Sequence, residues 1–351
     1  FVMAGGTIQN LFSTRNRHSG AVRVGKGAIF TMNGGSIYYN TASENAGGVY
    51  AYGVEGSNKA SVIINEGNIV KNTAQLGGGV CIGYLGAFTM NGGKIEGNTA
   101  TLAGGGVVQN GNEYEFAVNG GSITENKAMS LAGGIACGAP FNLSGGVIIT
   151  GNKVGDEDGN VYLIEDGAIT LTGALSDTAS IGVSMQTPGV FTSSTGEFKA
   201  KDYSSCFFSD NSEYIVKTVG DELKLSTHEH SFTYSAEDGT ITATCTDHNG
   251  CPLADSDYKA TLTISANGGT YDGNTSYGAT VTDENSIKGD AVVNYYKATD
   301  SDEKGDPLSP LTTAPTYAGR YWAEITVGTG DNAATAHVVY NIEKAAETAP
   351  N

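Results

Sequence analysis

One short pattern returns five times in the first half of the chain and constrains the fold more than any other feature. It runs IFTMNGGSIYYNTASENAGGVY from Ile29, SVIINEGNIVKNTAQLGGGV from Ser61, AFTMNGGKIEGNTATLAGGGV from Ala87, EFAVNGGSITENKAMSLAGGI from Glu115 and FNLSGGVIITGNKVGDEDGNV from Phe141. The marker glycines Gly35, Gly67, Gly93, Gly121 and Gly146 stand 32, 26, 28 and 25 residues apart. Periods of this size mark repeat architectures in which each repeat is one supersecondary unit. Within a unit apolar residues alternate over short stretches, as in Phe88-x-Met90, then Ile95, then Val107, which predicts three short strands separated by turns.

A single coil of three strands cannot bury its inward face, so stability must come from the coils above and below. Equivalent residues then form four apolar ladders inside a tube: Phe30, Phe88 and Phe116; Met32, Ile64, Met90, Val118 and Leu143; Ile37, Ile69, Ile95 and Ile123; and Val49, Val80, Val107, Ile135 and Val161. Pairs such as Gly34-Gly35 and Gly92-Gly93 fall where the chain must bend through positive φ. Asn40, Asn72, Asn98, Asn126 and Asn152 recur after the second strand. Asn tolerates the left-handed region and stacked amides hydrogen-bond from coil to coil, so turn chemistry accounts for their spacing without a catalytic role. The first 28 residues depart from the pattern, with Gly5-Gly6 followed by Asn10 one residue early.

Composition supports a turn-rich β chain: 51 of 351 residues are Gly and only 7 are Pro, without a collagen period. Lys and Arg number 19 against 37 Asp and Glu, a formal charge of −18 that disfavours nucleic acid and anionic lipid as partners and favours solubility. No run of about 18 apolar residues is present to span a membrane. Neither end carries a signal peptide, a wall-sorting sequence or an anchor, and targeting segments are expected to lie outside this sequence.

The MNGG...N-T-A...GGGV unit resembles the repeat of surface adhesin-like proteins of Gram-positive gut bacteria, built on a right-handed parallel β-helix of the pectin-lyase-like type. The likeness covers roughly residues 1 to 180. Gly159 to Met185 is similar to the closing coils of such proteins, and Cys206 to Ser226 to their terminating strands. The resemblance implies an extracellular, secreted or wall-attached protein.

Gly thins from 36 in the first 180 residues to 15 in the rest, which marks a change of architecture. The expected organisation is a β-helix with closing strands over 1–226, a linker over 227–231 and an antiparallel β-sandwich over 232–351. Alternating stretches (FTYSA, TITATCT, KATLTIS, GATVTD, AVVNYYKA, YWAEITV and TAHVVYNIE) supply about seven strands. The tail from Ala314 to Ala345 resembles the closing strands of bacterial immunoglobulin-like modules. Trp322, the single Trp, is expected to cover the sandwich rather than recognise a ligand.

Chemistry-bearing residues are sparse. Cys81 and Cys137 follow the glycine runs of repeats, where a small thiol fills core space, and Cys206 stands alone. Cys245 and Cys251 bracket the turn T-D-H-N-G and are candidates for a disulfide. Two alternatives remain open: unbridged thiols, or a zinc site in which Cys245-x-x-His248-x-x-Cys251 joins His228 or His230. Asp156, Glu157 and Asp158 form the one acidic cluster in the coils, a weak calcium candidate that lacks the spaced ligands of a dedicated loop.

Lyases and hydrolases also use such tubes, so an enzyme is the runner-up by fold analogy. The repeats hold only Arg15, Arg17 and Arg23 as possible acid-binding cations, and Glu44, Glu66, Glu96 and Glu125 are isolated rather than paired. None of His18, His228, His230, His248 and His337 follows a nucleophile elbow, and no Gly run continues into a phosphate loop. No catalytic residue and no cofactor is therefore assigned. The expected function is a monomeric, non-catalytic surface protein binding a glycan or a host or matrix protein through its outer faces, with a passive stalk as a further alternative. Tyr38, Tyr39, Tyr50, Tyr52, Tyr84 and Tyr114 lie near successive turns and are candidate ligand contacts.

Overall fold

Strands of two to eleven residues, paired in parallel from coil to coil, form the first part of the computed structural model. The structure describes residues 1–13, 20–55, 59–109, 115–165, 167–194, 196–247, 251, 253, 257–283, 287, 292–308 and 311–346. The chain divides into two compact units, Phe1–His228 and Glu229–Asn351. The first is a parallel β-solenoid of about seven turns.

The four expected ladders are present as strand registers. Met32 pairs with Ile64, Ile64 with Met90, Met90 with Val118 and Val118 with Leu143. Ile37, Ile69, Ile95 and Ile123 are likewise in line, as are Val49, Val80, Val107, Ile135 and Val161. Val62 completes the phenylalanine ladder between Phe30 and Phe88. All of these residues are buried in one continuous core, where each buried Ile, Val or Phe contributes roughly 1.5–3 kcal/mol. The atypical first segment is itself a coil, with Met3 beside Met32 and Ile8 beside Ile37.

The marker glycines have a second reason to be glycine besides their turns. Gly35, Gly67, Gly93 and Gly121 have φ between +80° and +100°, and a Cβ on each would stand 2.6–2.9 Å from the carbonyl oxygen of the equivalent glycine one coil earlier. Both the left-handed backbone and the close approach therefore exclude a side chain. The fifth coil departs from the sequence alignment: Gly146 pairs with Gly120 rather than Gly121, after a register shift beyond Leu143. One residue is gained there, so that Ile149 still lies against Ile123 and the core face is preserved.

The recurrent asparagines are buried and form one continuous amide ladder. Each Nδ2 donates to the Oδ1 of the next coil's Asn, from Asn40 through Asn72, Asn98 and Asn126 to Asn152, at 2.9–3.0 Å. The same Oδ1 accepts the backbone N–H of the preceding Asn at 2.9–3.0 Å. The remaining Nδ2 hydrogen goes to the carbonyl of an isoleucine one coil back, as in Asn98 to Ile69 at 2.9 Å. Both Nδ2 hydrogens and the Oδ1 of each ladder amide are thereby satisfied within the protein.

Beyond the repeats, Ser180–Met185 and Phe207–Ser209 continue the parallel stack, and an antiparallel hairpin of Tyr214–Val219 and Glu222–Thr227 follows. Leu223 and Leu225 of that hairpin are buried in the solenoid core.

Among the described residues the second unit has two sheets. Phe232–Glu237, Thr240–Cys245, Lys259–Ala266 and Ala279–Asp283 form an antiparallel meander. The other sheet orders Gly269–Thr270, Ala334–Glu343, Gly319–Val327, Asn294–Ala298 and Lys304–Pro307, antiparallel except for the first short pairing. Ile241, Leu262 and Ile264 of one sheet share a buried cluster with Tyr321, Ala323, Ile325 and Ile342 of the other, so the unit is an antiparallel sandwich.

Two substitutions test this account. Asn98→Ala strips the Oδ1 that serves both donors of Asn72 and should cost about 3–5 kcal/mol in denaturant unfolding. Gly93→Ala, with φ +80° and a carbonyl in the way, should cost about 2–4 kcal/mol, whereas Gly151→Ala, with φ +66° and open space, should cost only about 1 kcal/mol. Equal costs for the two glycines would remove the close-approach argument.

Candidate functional site

The outer face of the solenoid carries a second amide ladder. The residue two places ahead of Gly35, Gly67, Gly93 and Gly121 is Asn in all four coils, and the strand period turns it outward. Asn65 Nδ2 donates to Asn33 Oδ1 at 2.8 Å, Asn91 to Asn65 at 2.8 Å and Asn119 to Asn91 at 3.0 Å, and the Ser144 hydroxyl donates to Asn119 at 2.9 Å. Donation runs toward the preceding coil, opposite to the buried ladder. On the same coils an open trough of about 420 Å³ is lined by Gly67, Gly93, Gly121 and Gly146, together with Glu66, Lys94 and Ile148. Sequence reasoning passed over these outer asparagines, although their fixed place before the glycines was a visible signal.

The tyrosines do not form one surface. Tyr39 is exposed, has φ +53° and lies edge-on to Tyr38 at 5.3 Å, with the Lys71 ammonium 5.6 Å from its ring. Tyr52 stands between Tyr50 at 6.2 Å and exposed Tyr84 at 6.4 Å. Tyr50 is corrected from the contact set: only 3% exposed, it packs among Ala46, Cys81 and Val108 on a small satellite core, and burial holds its hydroxyl far above the ordinary tyrosine range. Tyr114 lies outside the described residues, as do Arg15, Arg17, His18 and His248.

Asp156, Glu157 and Asp158 sit in a tight hairpin in which Lys153–Val154 pairs antiparallel with Glu157–Asp158. The Asp158 carboxylate is engaged by Lys153 at 2.9 Å and all three acids are exposed, a solvated turn rather than a converging oxygen cage.

Next to this hairpin the buried amide ladder ends on a carboxylate. Asn152 donates to Asn160, and Asn160 gives its backbone N–H to Asp210 Oδ2 at 2.7 Å and its Nδ2 to Oδ1 at 2.6 Å. Burial pushes the Asp210 carboxyl up to about 6, and the two bonds from Asn160 only partly oppose it. Glu157, Asp158 and Asp210 share a recess of about 420 Å³.

Cys81 and Cys137 are buried, and burial pushes both thiols up to about 12, so they are inert core fillers. Cys245 and Cys251 are thiols without a disulfide between them, and His230 Nδ1 stands 3.4 Å from the first sulfur and 3.6 Å from the second.

The five-stranded sheet holds a feature that strand alternation concealed. Glu324 faces away from the sandwich core yet is only 7% exposed. Lys304 Nζ reaches its Oε1 at 2.6 Å, Trp322 Nε1 donates to its Oε2 at 2.9 Å, and the indole lies flat on His337 at 3.6 Å. Burial would raise its carboxyl, but the bonds from Lys304 and Trp322 outweigh it and hold the group below the ordinary glutamate range. Trp322 thus covers a paired carboxylate rather than presenting a free stacking face.

No family model, curated protein or solved structure matches the chain.

The buried Asp210 carboxyl makes stability depend on pH. A carboxyl raised from 3.8 to about 6 stabilises the fold fully below the unfolded value, and that stability is lost as pH rises through about 6. Asp210→Asn gathers both bonds from Asn160 on one Oδ1, as every other rung does. The variant should therefore be more stable than the wild type by about 2 kcal/mol at pH 8, with the gain vanishing toward pH 4 in thermal melts. A gain that grows on acidification would contradict the assignment.

Proposed function

We propose that the chain is a non-catalytic binding module of a secreted or surface-attached protein, and that its solenoid holds an extended, neutral polysaccharide along the glycine-lined trough. One observation carries this reading: the outer ladder Asn33, Asn65, Asn91 and Asn119 repeats the same amide along coils whose following residues line an open trough. Coils in a parallel sheet stand about 4.8 Å apart, so a polymer lying along the stack meets the same group at each step. Amides offer both donors and acceptors, which suits sugar hydroxyls of either sense. The glycine lining lets a chain approach the backbone closely. A charge of −18 disfavours polyanionic glycans, which is why a neutral polymer is preferred.

A glycan array probed with the intact chain should retain neutral polysaccharides and release no soluble sugar from them. Ser122 lines the trough and its strand neighbour is Lys94. Ser122→Trp should fill the trough and weaken retention at least about tenfold, equivalent to 1.4 kcal/mol, while Tyr39→Ala leaves it unchanged. Retention that survives Ser122→Trp, or sugar release by the wild type, would sink the reading.

A further inference from the structure

The lead-in to the second unit places two imidazoles at the open end of its first hairpin. Phe232 is in register with Cys245, and the Thr246 N–H donates to Ser231 O at 2.8 Å. Strand pairing thus sets His230 beside the end of Thr240–Cys245. Cys251 is brought back to the same end: Cys245 N–H donates to Tyr258 O at 2.8 Å, and Tyr258 N–H to Leu253 O at 2.9 Å. His228 lies only two residues ahead of His230, so its place is a matter of local chain geometry. One ligand atom from each of His228, His230, Cys245 and Cys251 falls within 4.8 Å of all the others.

We propose that these four side chains form a structural Zn²⁺ site of the Cys₂His₂ type. With Zn–S near 2.3 Å and Zn–N near 2.0–2.1 Å, a tetrahedron has S–N edges of about 3.6 Å. The two separations from His230 Nδ1, 3.4 and 3.6 Å, already match those edges. A thiol–imidazole hydrogen bond accounts for one sulfur near one ring; it gives no reason for a second sulfur and a second ring to converge on the same point. Charge closes as well: two thiols release their protons on binding, and two thiolates with two neutral imidazoles cancel the dication. Cys245 is 0% and Cys251 3% exposed, so the sulfur side is closed to water, as in structural rather than catalytic zinc sites. His230 is held by stacking on Phe232 at 4.9 Å and 15°, an apolar support that fixes the ring's direction. The Cys-x₅-Cys spacing matches no familiar zinc motif; where the sequence offered His248 with one of His228 and His230, the hairpin that pairs Phe232 with Cys245 brings both of the latter to the two cysteines.

The test uses the full chain, reduced and freed of metal, then titrated with Zn²⁺ and with Co²⁺ as a spectroscopic probe. One equivalent should bind, Co²⁺ should show a thiolate charge-transfer band with tetrahedral visible bands, and Zn²⁺ should raise the melting temperature. Cys251→Ser and His230→Ala should each weaken binding at least about 100-fold, beyond the roughly 10–100-fold loss typical when a residue that only supports a ligand is changed. His228→Ala, outside any strand, should keep the unit folded by circular dichroism and still lose affinity to a similar degree. Three results would overturn the proposal: failure of the reduced chain to take up either ion, cobalt binding without a thiolate band, or affinity unchanged in both histidine variants. A disulfide between Cys245 and Cys251 would appear as an intact mass lower by two hydrogens in protein purified without reductant. Paired with failure to bind after reduction, it would assign the cysteines to a covalent staple instead.

Discussion

The buried amide ladder is the interaction on which the solenoid depends. Each coil must turn sharply between its second and third strands, and the turn buries backbone donors that no strand partner can reach. A single Asn per coil resolves this, since its Oδ1 takes two donors from the preceding rung and its Nδ2 donates to two acceptors. The amides all point the same way from Asn40 to Asn160, so each bond polarises the next. An unpaired donor at any rung would cost about 1–3 kcal/mol in a dry interior, which makes the ladder an all-or-none device rather than a sum of independent bonds.

A directed ladder needs ends of opposite character. At the N-terminal end the backbone N–H of Leu11 donates to Asn40 Oδ1, so the first rung opens on a donor. At the other end two N–H groups of Asn160 point out of the last rung, and a carboxylate is the side chain that accepts both without bringing a donor of its own. Asp210 does this at the expense of desolvating its charge. The ladder's direction therefore explains why an acid appears where the turn chemistry ceases to repeat.

Much of this was legible in the sequence because the solenoid is nearly one-dimensional. Ile37, Ile69, Ile95 and Ile123 could be stacked by counting alone, and so could the asparagines. What counting could not supply was anything set by the third dimension. The shift beyond Leu143 keeps Ile149 on the core face at the expense of the glycine register, a choice between two equally good local alignments that only packing decides. Tyr50 looked like an outward aromatic because it neighbours turns, but a satellite cluster with Cys81 and Val108 covers it. Glu324 followed the alternation rule outward and is buried all the same, because Trp322 and Lys304 fold over it.

The second unit has no repeat to lean on, and its organisation shows the difference. Its core is one modest cluster in which several positions are Ala rather than larger side chains, as at Ala243, Ala260, Ala323 and Ala336. Small cores leave strand ends weakly held, and the end of Thr240–Cys245 is the point where the chain enters the sandwich and where the following turn begins. Two sulfurs and two imidazoles converge at that same place. The solenoid obtains its order from similar coils repeating one bond; the sandwich, lacking repetition, obtains it from long-range strand pairing, as between Gly319–Val327 and Asn294–Ala298.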